Sequence, residues 1–371
     1  MKIGNNSLNT MENNEDTDLI YLDRCTQLAH LSDARVADNP RVGAVLVHEG
    51  EIIGEGYHRQ AGGAHAEVNC LANVRKRDFH RVCSATLYIS LEPCCVVGRS
   101  GACTDLIRRE RIPTVVFAQR DPTPGVAGNS VRLLREAGVE VREYPDFAPT
   151  LRLNAERATM VLERRPYVTL KFARSADGFL RPRDRRQDYW ITGPASRRLV
   201  HRWRAATSAI LVGGRTVTED DPSLTTRLFP GPNPLPVVID LRDRVTGRER
   251  LFTNPARPAL LFSGRPRPDV RAENIALPGV NLSAALPTIL REVLARRRGR
   301  VTVEGGAALL EAFLDTGSWD EAKVFTGTVR WGTGLPAPVV GHGVWTGGEW
   351  VGEDRLDHYS HPRLTKKTGT L

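Results

Sequence analysis

The chain has 371 residues, 40% of them hydrophobic and 26% charged, with a formal net charge of +9. This mixture excludes a mostly disordered chain, and no apolar run approaches the roughly 18–20 residues of a membrane span. At about 100–200 residues per domain, the length predicts two domains.

Residues 1–17 are rich in Asn, Glu, Asp and Thr and are expected to be a disordered extension. They hold no apolar leader, so secretion is not expected. Leu19–Leu31 has helical spacing of apolar positions. Val42–Val47 reads as a buried strand, returned through Glu49-Gly50 by Glu51–Tyr57 as a hairpin. A helix from His65 to about Arg75, a strand Ala85–Leu91 and a helix Thr104–Arg111 follow. Next come a strand Thr114–Ala118, a helix Ser130–Ala137 stopped by Gly138, and a strand Val139–Arg142. A leading hairpin and then alternating helices and strands predict an α/β sandwich over 18–145. Residues 146–165 read as a linker with a short amphipathic helix.

A second α/β domain is expected over 166–371. Its strands are Tyr167–Phe172, Ala209–Val212, Pro236–Asp240, Ala259–Phe262 and Val301–Glu304. Its helices are Pro194–Ala206, Leu286–Arg298, with Pro287 in the first turn, and Ala307–Leu314. The stretch after about residue 340 carries no readable motif.

All six cysteines lie in the first 103 residues. In a chain with no expected secretion signal, such a cluster points to metal or catalysis rather than disulfides. His65-Ala66-Glu67 and Pro93-Cys94, continuing to Cys103, supply one imidazole and two thiolates. Zinc favours such donors, and three of them leave a position for water. Glu67, two residues after His65, suits proton transfer in a nucleobase deaminase pattern. Cys95 rivals Cys94, which is preferred because it follows Pro93. Cys25, Cys70 and Cys83 read as core or surface thiols.

Asn39-Pro40-Arg41-Val42-Gly43, Gly56-Tyr57-His58, His65-Ala66-Glu67, Leu91-Glu92-Pro93-Cys94, Gly98-Arg99 and Arg120-Asp121-Pro122 resemble the bifunctional riboflavin-biosynthesis deaminase/reductases, the RibD family. So do Leu170-Lys171, Ser175-Ala176-Asp177-Gly178, Trp190-Ile191-Thr192, Asp220-Asp221-Pro222 and Val303-Glu304-Gly305-Gly306 in the second half. The resemblance covers roughly residues 18–340. It implies a cytidine-deaminase-like α/β/α sandwich followed by a dihydrofolate-reductase-like α/β domain.

It also implies zinc-dependent deamination of 2,5-diamino-6-ribosylamino-4(3H)-pyrimidinone 5′-phosphate, then reduction of the ribosyl to a ribityl chain with NADPH. His65, Cys94 and Cys103 would hold zinc, and Glu67 would move protons. Asn39, His58, Arg99 and Asp121 would contact the deaminase substrate. In the reductase, Lys171, Asp220 and Glu304 would be catalytic, and Arg204 and Arg227 would meet the substrate phosphate. Gly213, Gly214, Thr216, Gly305 and Gly306 would meet NADPH. No G-x-G-x-x-G follows the first strand, so a Rossmann site is not supported. The implied partners are a phosphorylated pyrimidine, NADPH and copies of the same chain in a homo-oligomer. Neither nucleic acid nor membrane is expected, and the implied compartment is the cytoplasm.

Cys95 and Val96 stand where the family has Ser-His, and Ser100-Gly101-Ala102 where it has Thr-Pro-Pro. Thr123 replaces an Asn, and Asp188 a Ser. Three of these departures bear on how the deaminase grips its substrate, and an acidic Asp188 near a phosphate would be unfavourable; two rivals follow, a paralogue with only the reductase active and a nucleic-acid base deaminase.

Overall fold

The computed structural model describes residues 6–36, 38–96, 101–184 and 190–364. The chain forms two compact units, Met1–Glu163 and Arg164–Leu371.

The first unit runs α1 (Asn6–Ala29), β1 (Gly43–His48), β2 (Glu51–Tyr57), α2 (Ala66–Ala72), β3 (Thr86–Leu91), α3 (Cys103–Arg109), β4 (Thr114–Gln119), α4 (Asn129–Glu136), β5 (Glu140–Glu143) and α5 (Ala148–Leu162). Its sheet has the order β2-β1-β3-β4-β5. The strands β3, β4 and β5 run parallel, and β1 is antiparallel to both of its neighbours. Side chains alternate along a strand, so Ala44 and Leu46 face one side while Val45 and Val47 face the other. Both sides are covered. Cys70, Ile107, Val131 and Leu134 close one face, and Leu22, Cys25 and Leu28 of α1 close the other.

Two expectations need correcting here. Helix α1 begins at Asn6, inside the extension expected to be disordered. Further along the same helix is a long-range anchor that composition does not reveal. Asp18 is buried and accepts hydrogen bonds from Arg142 Nε (2.8 Å), Tyr88 (2.8 Å) and Tyr144 (2.7 Å). Nor is 146–165 a free linker. Helix α5 packs against α1, β3 and β4, with Leu153, Ala155 and Met160 buried.

The second unit begins with β6 (Tyr167–Arg174), β7 (Phe179–Pro182), α6 (Pro194–Ala206), β8 (Ala209–Gly213), α7 (Gly214–Asp220), β9 (Leu235–Asp240), α8 (Arg250–Thr253), β10 (Ala259–Ser263) and β11 (Ala272–Ala276). It continues with α9 (Leu282–Ala295), β12 (Arg300–Val303), α10 (Ala307–Thr316), β13 (Glu321–Thr326), β14 (Gly334–Pro336), β15 (Val344–Val351) and β16 (Asp354–Ser360). Nine strands pair in the order β11-β10-β9-β8-β12-β6-β13-β16-β15. The strands from β11 to β13 run parallel, and the hairpin β15–β16 closes one edge antiparallel. The stretch after residue 340, unreadable in sequence, is this hairpin.

Pro287 also lies elsewhere than expected. Helix α9 starts at Leu282 because the Asn281 side chain caps it, accepting from the Ala284 amide at 2.9 Å. Pro287 therefore sits inside the helix, not in its first turn. Strand β12 inserts between β8 and β6, which are consecutive strands of the parallel set. In such sheets, ligands sit outside the carboxyl ends of the strands at the point where the order reverses.

Candidate active sites

In the first unit, His65 precedes α2 in an extended conformation, so Glu67 falls in the first turn of the helix. Cys94 follows β3, and Cys103 opens α3. The His65 Nδ1 lies 3.5 Å from Cys94 Sγ and 3.3 Å from Cys103 Sγ. The Cys103 amide donates to the Cys94 sulfur at 3.4 Å. One nitrogen and two sulfurs within 4.8 Å of one another suit tetrahedral zinc with a fourth position open. A hydrogen bond from Cys103, then His65 nearby, lowers the Cys94 thiol, while the Cys103 thiol of the same pair is pushed up by Cys94 and by burial. The two thiols share a proton in the absence of a metal, and a metal needs both as thiolates. Cys95 points away, its thiol donating to the Gly125 carbonyl at 3.4 Å.

Glu67 is buried beside this cluster, and burial first, then the charge of Cys94, push its carboxyl upward. A raised carboxyl beside the cluster is suited to take up and release a proton. His58 Nδ1 faces the Ala64 carbonyl at 3.0 Å, and its Nε2 faces the Asn39 side-chain amide at 3.1 Å. Burial lowers the His58 pKa, so its ring stays neutral and accepts from Asn39. The His58 and His65 rings meet edge to face at 5.6 Å.

Glu92, buried next to Pro93, accepts from the amides of Gly128 (2.9 Å) and Asp121 (3.3 Å). It ties the Asp121 loop to the strand end that presents Cys94. His58 thus meets the cluster through His65, while Asn39 is linked to it through His58 and Asp121 through Glu92. Arg99 lies outside the described residues. One residue of this pocket escaped the sequence reading. Arg157 of α5 reaches Thr123 Oγ1 at 2.5 Å and Asp121 at 3.7 Å.

In the second unit, a cavity of about 870 Å³ runs along the carboxyl ends of β8, β9 and β12. Lys171, Gly213, Gly214, Thr216, Asp220, Glu304, Gly305 and Gly306 all line it. Gly214 is required by close packing, since a Cβ there would overlap the Asp240 carboxylate. Gly305 and Gly306 have φ of 135° and 80°, and their hypothetical Cβ atoms lie 3.4 and 3.3 Å from the Thr216 side chain. Thr216 thus packs on the second glycine pair while sitting two residues beyond the first. Burial lowers the Lys171 ammonium, which Glu304 partly offsets. Burial alone would raise Glu304, but the hydrogen bonds and charge of Arg204 outweigh it and hold the carboxyl below its usual range.

Arg204, expected on the substrate phosphate, is bonded to Glu304 and to the Thr225 carbonyl at 3.0 Å. Arg227 is exposed on the loop after Thr225, with its guanidinium 3.4 Å from Thr225 Oγ1. Arg242 and Arg244, which the sequence reading passed over, line the cavity just beyond β9. The Asp188 departure lies outside the described residues.

The fold and the two sites define a zinc-type deaminase unit joined to a reductase unit. Residues 16–119 match the cytidine and deoxycytidylate deaminase zinc-binding region, and residues 166–344 match the RibD C-terminal domain. The riboflavin biosynthesis protein RibD of Aquifex aeolicus (strain VF5) is 35% identical over 325 residues, which cover 86% of this chain and 89% of that one. RibD of Escherichia coli (strain K12) is 32% identical over 326 residues, covering 83% and 87%. A solved diaminohydroxyphosphoribosylaminopyrimidine deaminase/5-amino-6-(5-phosphoribosylamino)uracil reductase from Thermotoga maritima is 34% identical. It superposes with a TM-score of 0.83 over 93% of this chain and 99% of its own. The chain belongs to the RibD family of bifunctional deaminase/reductases of riboflavin biosynthesis.

Proposed function

We propose that the first unit deaminates 2,5-diamino-6-ribosylamino-4(3H)-pyrimidinone 5′-phosphate and that the second reduces the ribosyl chain of the product, giving 5-amino-6-ribitylaminouracil 5′-phosphate. The observation that carries this is the His65–Cys94–Cys103 cluster beside the buried Glu67, in a chain that also carries the Lys171–Glu304 cavity.

His65, Cys94 and Cys103 hold zinc, which when bound lowers the pKa of a water molecule and supplies a nucleophile at neutral pH. Glu67 would hold the proton that has to pass from the attacking water to the departing amine. Burial suits it to this role by raising its pKa. Asn39, His58 and Asp121 orient the pyrimidine, with the neutral His58 fixing the Asn39 amide. Arg99 supplies positive charge for the phosphate.

In the second unit NADPH supplies the hydride when bound. Gly213, Gly214, Thr216, Gly305 and Gly306 leave backbone amides and space for the dinucleotide. Arg242 and Arg244 meet its additional phosphate. Lys171 delivers the proton that balances reduction of the ribosyl carbon, and its lowered pKa eases that donation. Asp220 and Glu304 orient the sugar hydroxyls, while Arg227 takes the substrate phosphate with Arg204.

The enzyme works in the cytoplasm, consistent with six unpaired cysteines, and as a homo-oligomer. Trp345 and Trp350, exposed on the edge strand β15, favour self-association. The test supplies the diaminopyrimidine phosphate and follows ammonia and NADPH together. Glu67→Gln should abolish ammonia release yet still oxidise NADPH on the deaminated substrate, and Lys171→Ala should do the reverse. Full deaminase activity in Glu67→Gln would overturn the reading.

A further inference from the structure

The deaminase site has two walls that come from distant parts of the sequence. One is the Asp38–Asn39 segment, which leads through the Asn39 amide to His58. The other is the Asp121–Thr123 turn, held to Glu92 and so to the strand end before Cys94. Arg157 lies between them. Its Nη2 donates to Thr123 Oγ1 at 2.5 Å, its Nη1 to the Asp38 carbonyl at 3.5 Å, and its Nε lies 3.7 Å from Asp121 Oδ1. The Thr123 hydroxyl in turn donates to Asp121 Oδ1 at 2.5 Å. Next to it on α5, Glu156 pairs with Arg41 at 3.4 Å, a second tie from this helix to the segment before β1. The Arg157 and Asp121 side chains are only 21% and 13% exposed, so their attraction is weakly screened.

We propose that Arg157 is a positioning residue of the deaminase, clamping the Asp121–Thr123 turn to the Asp38–Asn39 segment and so fixing the width of the substrate pocket. It acts through groups that meet the substrate, not on the reacting atoms. The guanidinium suits the task because its two Nη atoms hydrogen-bond Thr123 and the Asp38 carbonyl while its charge lies beside the Asp121 carboxylate, a spread of contacts that a lysine cannot make. The clamp also gives Thr123 a function: its hydroxyl accepts from Arg157 while donating to Asp121. This inference rests on the deaminase reading above and names a specificity-determining contact within it.

The test measures kcat and KM for ammonia release from the diaminopyrimidine phosphate, alongside zinc content and NADPH oxidation on the deaminated substrate. Arg157→Met keeps the aliphatic stem. It should lower deaminase kcat/KM by roughly 10-fold to 100-fold, the size of one lost charge-assisted hydrogen bond, mostly through KM. Zinc content and reductase rates should stay at the wild-type level, and Arg157→Lys should recover part of the loss. Thr123→Val should lower kcat/KM in the same direction, and the double variant should be no worse than Arg157→Met, because both remove one shared link. Arg157→Met with kcat and KM within about twofold of wild type would overturn the clamp. If Arg157→Met does not fold, an unchanged KM in Thr123→Val does so instead. A wild-type protein that releases no ammonia from this substrate overturns the deaminase reading and takes the clamp with it, whereas an active wild type with an unaffected Arg157→Met sinks the clamp alone.

Discussion

Arg204 grips Glu304 with two parallel hydrogen bonds, Nε to Oε1 at 2.8 Å and Nη2 to Oε2 at 2.6 Å, where both side chains are largely withdrawn from water. The pair joins helix α6 to the end of the central strand β12. It fixes the carboxylate that faces the reductase cavity with Lys171.

Stability should therefore depend on pH through this pair. The Glu304 carboxyl titrates below its unfolded value of about 4.3, so its contribution is full above that pH and is lost as pH falls through the folded value. Glu304→Gln should cost about 3 kcal/mol, since it leaves a buried guanidinium without a charged partner. Thermal unfolding of both proteins from pH 3 to 7 checks this. The gap in Tm should be constant above about pH 5 and close toward pH 3. A gap that widens on acidification would contradict the sign.

Cys94→Ala and Cys103→Ala should each purify with less than a tenth of the wild-type zinc, by the order of loss expected from removing a ligand of three. Cys95→Ala should keep the full content, because that thiol is turned to the Gly125 carbonyl. Elemental analysis of dialysed protein decides the matter. Zinc lost from Cys95→Ala and kept in Cys94→Ala would exchange the two assignments.

Gly214→Ala tests the close packing of α7 on β9. The added methyl would meet the Asp240 carboxylate, which is held by the Val245 amide at 2.8 Å. Overpacking of this kind costs about 2 kcal/mol. The reductase unit should melt roughly 4–8 °C lower, the shift such a loss produces in a domain of this size. An unchanged Tm would mean that Asp240 moves freely.

Arg242 and Arg244 stand at the cavity wall beyond β9. Replacing both by Ala should reduce the preference for NADPH over NADH by roughly 10-fold to 100-fold, as expected when charged hydrogen bonds to one phosphate are lost. Steady-state kinetics with each cofactor measures it. An equal loss for both cofactors would place these arginines elsewhere than the additional phosphate.

Much of the site was legible in sequence because its chemistry is tied to short local patterns. His65 and Glu67 sit two apart at the start of one helix, and Cys94 follows a strand end marked by Glu92-Pro93. Gly213-Gly214 close the apolar run Ala209–Val212, and Gly305-Gly306 follow the strand Val301–Val303 and Glu304. The structure sets Lys171, Asp220, Glu304 and the four glycines around one cavity, although Lys171 lies within β6 and Asp220 at the end of helix α7. The partner of Arg204 was not legible. An arginine on a helix and a glutamate one hundred positions later carry no mark in the sequence that they meet. Arg157 was missed for the same reason: it lies in a stretch whose prolines and polar residues read as a connector.

The sequence by itself determined the two α/β domains, the donor set for zinc and the family, because periodicity and motif spacing are properties of neighbouring residues. The tertiary structure alone decided that α1 extends back to Asn6 around the buried Asp18, that α5 belongs to the deaminase unit, and that Arg204 serves Glu304. Each of these rests on charged or polar groups brought together from far along the chain and shielded from water. Whether a charge ends in solvent or in such a pair is settled by packing, which no local pattern encodes.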